Sequence, residues 1–435
     1  MVGKVDWSEI PDEIWTAIGK RLDNRLDVLR FRSVCKSWRS FIPPFHDSSP
    51  PLRLRFPLPF SSKADAFVSQ STVYRIDPPN HDGQGSSSSS FLKGWLVKVE
   101  EFEPGKMLLL DLLSGRRIRD SPSTFPKVFS LLEFRMVELS KAYALKYICG
   151  FSSIAGINKI IISPDSGSGS GSGYARSADE SAIFVIYDQG KLGFAKNGAE
   201  GFTLIDNRIL DYNDIIVYKG QPYVVDRWGT VSWIDSSLRV IQFSPPLFGF
   251  GSRKHLVVAN SELYVIDRYL DRDVNMQDYD DNNNNNNNDV VNFNAFLHHP
   301  LRRRRFDYCQ AKTVDFKVHK LDEEWGRWVE VKNLDDQAFI LGADCSFSIS
   351  AREFAGFQKN CIYFTEQLDL DFALRGLGNP DGGVFNLEDR TIDKLAFCPG
   401  SFPMFCPLQA TNPCTFSSNL GRHPVRVDPC KYDIM

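Results

Sequence analysis

Along the first forty-odd residues apolar positions recur at helical spacing, whereas beyond residue 91 they gather in short runs parted by turn residues. At the start, Pro11 suits a first helical position, where its missing N–H is one of the unsatisfied donors anyway, and Asp12 and Glu13 suit the positive end of the helix dipole. Ile14, Trp15, Ile18 and Leu22 then fall within about 100° of helical arc and form one apolar stripe. Asp23-Asn24 breaks the pattern and offers an N-cap. A second helical pattern carries Leu26, Leu29 and Phe31; Ser33 is placed to cap a third, in which Val34, Trp38, Phe41 and Ile42 share a face, and Pro43-Pro44 ends it. Three helices in about forty residues stand at the lower limit for a self-sufficient core. Such a unit is expected to leave apolar surface over, for a partner or for the next domain. Ile10, Pro11, Val34, Cys35 and Trp38 exceed what one small bundle needs.

Residues 45–60 are Pro-rich and read as a semi-rigid connector. After them the pattern predicts strands. Trp95–Val99 and Met107–Asp111 form one hairpin across Glu103-Pro104-Gly105-Lys106, Ile183–Tyr187 and Leu192–Ala195 a second, and Pro222–Asp226 and Thr230–Ile234 a third. Leu263–Asp267, Thr313–Val318, Trp328–Val331, Cys361–Phe364 and Val384–Leu387 continue the series. Several runs close on an aspartate and a turn, at Asp111, Asp188, Asp226 and Asp267, where the carboxylate is expected to bond nearby backbone N–H groups. Many short strands with recurring hairpins predict a propeller, a sandwich or a barrel. Residues 91–400 are long for a sandwich; at roughly 40–50 residues per four-stranded blade they predict about six or seven blades, in a β-propeller domain bounded at 61–400. Low-complexity insertions interrupt it at 80–90, 164–180 and 271–305, including an asparagine run at 282–288, and 401–435 is a tail placed to close the last blade. The fold class is therefore mixed multidomain: a small all-α unit of three helices over 5–44, then an all-β propeller.

Composition alters little. The chain has 435 residues, with hydrophobic residues at 42% and a net charge of −3, so nothing makes nucleic acid the default partner. The start lacks the apolar core of a signal peptide, and no run approaches the roughly 20 apolar residues of a membrane span. The nine cysteines form no C-x-x-C and read as reduced thiols. Cys398, Cys406, Cys414 and His423 cluster near the C-terminus without a compact metal-ligand spacing, so no metal and no cofactor is expected.

The run Ile-Pro-x-Glu-Ile from Ile10, followed by Leu-Arg-Phe-Arg-Ser-Val-Cys-Lys-Ser-Trp-Arg ending at Arg39, resembles a plant F-box, with Ile10 where the family usually has Leu. Phe60–Lys63 with Ser71–Ile76, Gly94-Trp95-Leu96, Lys320–Asp322 through Trp328–Val331 and Ile340-Leu341-Gly342 resemble the KIB-type propeller that follows plant F-boxes. The resemblance implies a substrate-recognition subunit of a cullin–RING (Skp–cullin–F-box) ubiquitin ligase. It implies that a Skp-type adaptor, and through it cullin, is bound at Ile10, Pro11, Ile14, Val34, Cys35 and Trp38, and that an unknown protein substrate is bound by the propeller. A propeller that tethers partners without ubiquitination is the alternative, and a propeller enzyme a further one.

No H-E-x-x-H, Walker loop, G-x-G-x-x-G or G-x-S-x-G occurs, so no catalytic residue is assigned and the chain is expected to be a non-catalytic receptor. Arg302-Arg303-Arg304-Arg305 reads either as a solvated loop or as a nuclear-import or anion patch, with a nuclear or cytoplasmic location to match. Trp228, Tyr269 and Trp325 lie in or beside turns, as blade core or as exposed anchors for the target.

Overall fold

The computed structural model describes residues 11–19, 21–22, 25–42, 54–58, 61–77, 94–103, 106–118, 128–129, 134–147, 154, 156–163, 182–188, 190–196, 199, 201–206, 211–271, 312–354, 356–366, 382–395 and 432–434. Ile10, Asp23-Asn24, the three insertions, Arg302–Arg305 and the C-terminal cysteines lie outside these residues.

The head is three helices: α1 (Asp12–Gly19), α2 (Arg25–Val34) and α3 (Lys36–Phe41). Trp15, Val28, Phe31 and Ile42 form its core, with Leu22, Trp38 and Phe41 packed against it. A Cβ on Gly19 would stand 2.3 Å from Ile42 Cδ1, so only glycine lets the end of α1 approach so closely. Ser33 is not the cap of α3. The second helix runs on to Val34, and Ser33 Oγ donates to Leu29 O at 2.6 Å inside it. The first extended residue is Cys35 (φ −160, ψ 174), whose Sγ accepts from Trp38 N at 3.4 Å.

The body is five antiparallel-dominated sheets. The first contains β1 (Leu54–Leu58), β2 (Ser61–Asp77), β3 (Trp95–Glu103), β4 (Lys106–Leu110), β5 (Val128–Phe129) and β6 (Arg135–Tyr147). The second holds β7 (Ile157–Ser163), β8 (Ala182–Tyr187), β9 (Lys191–Lys196) and β10 (Thr203–Leu204), and the third β11 (Tyr212–Tyr218), β12 (Gln221–Asp226), β13 (Val231–Ile234) and β14 (Val240–Gln242). The fourth holds β15 (Arg253–Ala259), β16 (Glu262–Leu270), β17 (Thr313–Asp322) and β18 (Arg327–Val331). In the fifth, β19 (Gln337–Leu341) pairs with β20 (Ser346–Ser350) on one side and in parallel with β21 (Cys361–Thr365) on the other, and β22 (Gly382–Asn386) and β23 (Ile392–Leu395) follow. A last strand, β24 (Tyr432–Ile434), returns to the first sheet between β4 and β5 rather than to the fifth.

Every neighbouring pair of sheets shares an apolar seam. Ala66, Val68 and Leu145 of the first meet Ile160, Ile183 and Val185 of the second. Phe184 and Leu192 meet Ile215 and Val224 of the third. Tyr223 and Val231 meet Leu256 and Val265 of the fourth, and Phe316 and Val318 meet Phe339, Phe364 and Phe385 of the fifth. Ala338, Ile340 and Tyr363 of the fifth then meet Val73, Leu96, Leu112 and Leu113 of the first. Five seams among five sheets close a ring. The blade count is therefore five, not the six or seven that length predicts. The length estimate spreads the chain over uniform blades, but β2 runs for 17 residues and β6 for 13, and the insertions add chain without adding described strands.

The closing seam carries polar fasteners as well. Gly94 N donates to Glu353 O at 2.9 Å, and Arg75 reaches Glu353 at 2.5 Å. Lys98, with no exposed side-chain surface, holds Asp344 at 2.5 Å. Burial by itself works against the Lys98 ammonium, but Asp344, together with Cys345 and Asp111, outweighs it and raises the amine above its ordinary range.

The head sits on the first sheet. Alternate residues of β2 share a face. On one such face Ala66 and Val68 cover the second sheet, while Ile76 and Tyr74, farther along, meet Leu26 and Leu29 of α2 together with Trp95, Val97 and Met136. Arg30 Nη2 donates to Met136 O across the same contact. The long strand thus outruns the neighbouring blade, and α2 covers the apolar surface left over.

Candidate functional site

Docking on the first sheet uses one side of the head and leaves others in water. Eight residues of α1 carry more apolar side chains than two partner helices can enclose. Trp15 turns inward, 3% exposed, with its ring 4.0 Å from Trp38 and 5.6 Å from Phe31. Ile14 and Ile18, one helical turn apart, turn outward at 49% and 37% exposure. Val34 ends α2 and is 51% exposed; Pro11 and Cys35 are exposed as well. Trp38 is half-buried, its ring against Trp15 and, at 4.6 Å, Phe31, so it takes part in the head core while keeping some surface. Of the residues singled out in the sequence, Pro11, Ile14, Val34 and Cys35 are open, Trp38 is partly so, and Ile10 lies outside the described residues. Ile18 belongs with the open group; its i+4 relation to Ile14 was the available signal.

Buried charges within and between the blades are internally paired. Lys159 on β7 places Nζ 2.6 Å from Asp214 Oδ1 on β11 and donates to Ser346 Oγ on β20 at 3.2 Å, linking the second, third and fifth sheets. Asp214 also accepts from the amides of Ile215 and Leu256, each at 2.8 Å. Lys254 stands 2.7 Å from Asp267, both fully buried, as an ion pair lacking hydrogen-bond alignment at Oδ1. Arg268 reaches Glu366 at 2.6 Å. Each of these carboxylates is held by a cation. A general acid or base needs a carboxylate free to meet a reacting group, so the arrangement braces the blades and their strands rather than presenting a reactive pair. Among the described residues no group of three His, Cys, Asp or Glu is placed to hold a metal ion, and no helix is long and apolar enough to cross a membrane.

Strand-end aspartates divide into two kinds. Asp111 accepts from Ser114 N at 2.7 Å, and Asp226 from Trp228 N at 2.8 Å and Thr230 N at 2.9 Å, as turn-forming carboxylates do. Asp188 sits in the left-handed region (φ 41) and pairs with Lys191. Asp267 departs from that reading: β16 continues through it to Leu270, and its carboxylate answers a buried lysine. Of the turn aromatics, Tyr269 is core, Trp228 is half-buried beneath Arg227, and Trp325 is 71% exposed at the β17–β18 turn. Phe248 and Phe250, exposed on the loop before β15, went unnoticed in the sequence, although Pro-Pro-Leu-Phe-Gly-Phe-Gly marks a turn that carries large apolar side chains.

Comparison with known proteins agrees with this architecture. The family profile described as KIB1-4 beta-propeller matches residues 60–386. A relative from Arabidopsis thaliana, At1g65770, is 31% identical over 417 residues, covering 92% of this chain and 99% of its own. F-box protein At2g17690 is 28% identical with the same coverage, and F-box protein SKIP23 is 28% identical over 93% of this chain and 94% of its own, both from the same plant. The helical head, the ring behind it and these matches over most of the chain agree: the chain belongs to the plant F-box proteins whose body is a KIB1-4 β-propeller.

Proposed function

We propose that this chain is the substrate-recognition subunit of a Skp–cullin–F-box ubiquitin ligase, with the head gripping a Skp-type adaptor and the propeller holding a protein target. The observation that carries the reading is the division of labour on the head. The body covers Leu26 and Leu29 of α2, while Pro11, Ile14, Val34 and Cys35 stay open. An eight-residue helix does not hold two isoleucines in water to stabilise itself, since each buried aliphatic side chain is worth about 1.5–3 kcal/mol; a partner that covers them recovers that free energy. Adaptor contact is assigned to Pro11, Ile14, Val34, Cys35 and the open edge of Trp38, with Ile10 beside them in sequence. The receptor needs no reacting group of its own. It supplies proximity, turning the encounter of target and charged conjugating enzyme into a nearly unimolecular step.

Ile14→Asp combined with Val34→Asp tests the surface without touching the Trp15 core. With a purified Skp-type adaptor, biosensor binding should fall at least about tenfold, as expected when central apolar contacts are charged. Wild-type affinity in that variant would remove the assignment. Target turnover in the cell should likewise stop in the double variant and, for wild type, on proteasome inhibition. Arg302–Arg305 is proposed as an import element; replacing all four with Ala should shift a tagged chain from nucleus to cytoplasm, and an unchanged distribution sinks that part alone.

A further inference from the structure

The loop of residues 243–252 joins the outer strand of the third sheet, β14, to the inner strand of the fourth, β15. It holds Phe248 54% exposed and Phe250 53% exposed. The backbone keeps them there. The amides of Leu247 and Phe248 both donate to Trp228 O at 3.1 Å, and Phe248 is fixed at φ 54, in the left-handed region that a bulky side chain rarely adopts. From below, fully buried Lys254 donates to Gly249 O at 3.2 Å and Gly251 O at 2.6 Å. Asp267 stands so close that a Cβ on Gly249 would lie 2.1 Å from its Oδ2, and one on Gly251 2.3 Å from its Oδ1. Tyr269, buried beside them, hydrogen-bonds the Phe250 backbone. A buried ion pair, two obligatory glycines and a strained residue together fix a loop in which Phe243 packs inward against Tyr223 while Phe248 and Phe250 face water.

A cation stands beside each of the two aromatic residues that hold the loop, Trp228 and Tyr269. The Arg227 guanidinium lies over the Trp228 ring at 6.0 Å, and the Lys317 ammonium over the Tyr269 ring at 5.1 Å. Nearby carboxylates are engaged: Asp267 with Lys254, Asp315 with Arg390, and Asp211 with Arg227 at a long 3.9 Å. Apolar anchors on a loop whose supporting residues carry positive charges complement an apolar side chain set between negative ones. Resting on the reading of the propeller as the target holder, we propose that Phe248 and Phe250, with Arg227 and Lys317, form the docking point for a segment of the target protein in which an apolar side chain is flanked by carboxylates. The pinned backbone means that little chain entropy is lost on docking.

The test pans a phage-displayed library of random twelve-residue peptides on the immobilised full chain. Enriched peptides should carry a large apolar residue beside Asp or Glu. The leading peptide, made synthetically, should bind at least about tenfold more weakly to F248A/F250A and lose affinity with added salt. R227E/K317E should select against acidic peptides, which keeps the idea open to refutation should the alanine pair unfold. No enrichment, enrichment of basic peptides, or equal binding by F248A/F250A with an unchanged melting temperature would overturn the docking point. Adaptor binding is measured on the same preparations. Peptide binding without adaptor binding faults the ligase reading, and adaptor binding without peptide binding faults this loop.

Discussion

Trp15 and Ile14 are neighbours on one helix, yet one anchors the head and the other meets water. Three aromatic rings, Trp15, Phe31 and Trp38, lie within 5.6 Å of one another in pairs, which concentrates the stability of the head in few residues. Trp15→Ala is expected to destabilise the head by about 3–5 kcal/mol, as emptied aromatic sites do, and to remove its protection in hydrogen exchange while the ring strands stay protected. His255 sets a second expectation at this scale. Its Nε2 is buried without a partner, and burial, with Arg268, Arg253, Lys159 and Lys254 around it, pushes the imidazole well below its ordinary range. The unfolded chain then binds a proton that the folded chain refuses, so stability falls as pH drops through the unfolded value near 6.5. Urea midpoints measured from pH 7.5 to pH 5.5 should decline, and H255Q should flatten that decline; an equally steep fall in the variant assigns it to other groups.

At the scale of elements, α2 and β2 each serve two neighbours. The Leu26 and Leu29 side of α2 rests on the first sheet, while its last residue, Val34, is open. On β2 the same face seats the second blade near Val68 and the head near Ile76. Leu26→Ala with Leu29→Ala should therefore loosen the head from the ring without unfolding either: limited proteolysis between residues 42 and 61 should accelerate several-fold, while the ring keeps its melting temperature. Cleavage at the wild-type rate would mean that this contact does not fix the head. The hairpins were legible because each alternating run meets its partner across a nearby turn, as at Tyr223↔Trp233 and Val185↔Gly193. Residues 54–58 of the Pro-rich connector were not legible as a strand; β2 recruits them as β1. Nor was the return of Tyr432–Ile434 to β4, because pairing between distant segments leaves no local periodicity.

For the whole molecule, ring closure is the deciding event, and it joins residues far apart in sequence. Lys98 and Asp344 lie at its centre. Lys98→Met leaves the Asp344 carboxylate without its counter-charge and is expected to cost about 3 kcal/mol or more, read as a lowered urea midpoint, with part regained in K98M/D344N. Because the folded-state amine is raised above its unfolded value, its contribution is complete below about pH 10 and fades as pH climbs through the folded value. From pH 10 upward the wild-type midpoint should fall more steeply than that of K98M; parallel curves would place the alkaline sensitivity elsewhere.

Local order in this protein was written in the sequence by itself: three amphipathic helices, the hairpins, the aspartate turns at Asp111 and Asp226, and a surplus of apolar residues in the head. Those features depend on neighbours a few positions away, where side-chain period and turn chemistry act directly. Tertiary structure alone decided that the sheets number five, that Asp267 answers a buried lysine, that Ile14 rather than Trp15 meets water, and that two phenylalanines stand exposed before β15. Each of those outcomes turns on which distant surfaces meet and how much apolar area remains once they have met, and no spacing along the chain encodes that remainder.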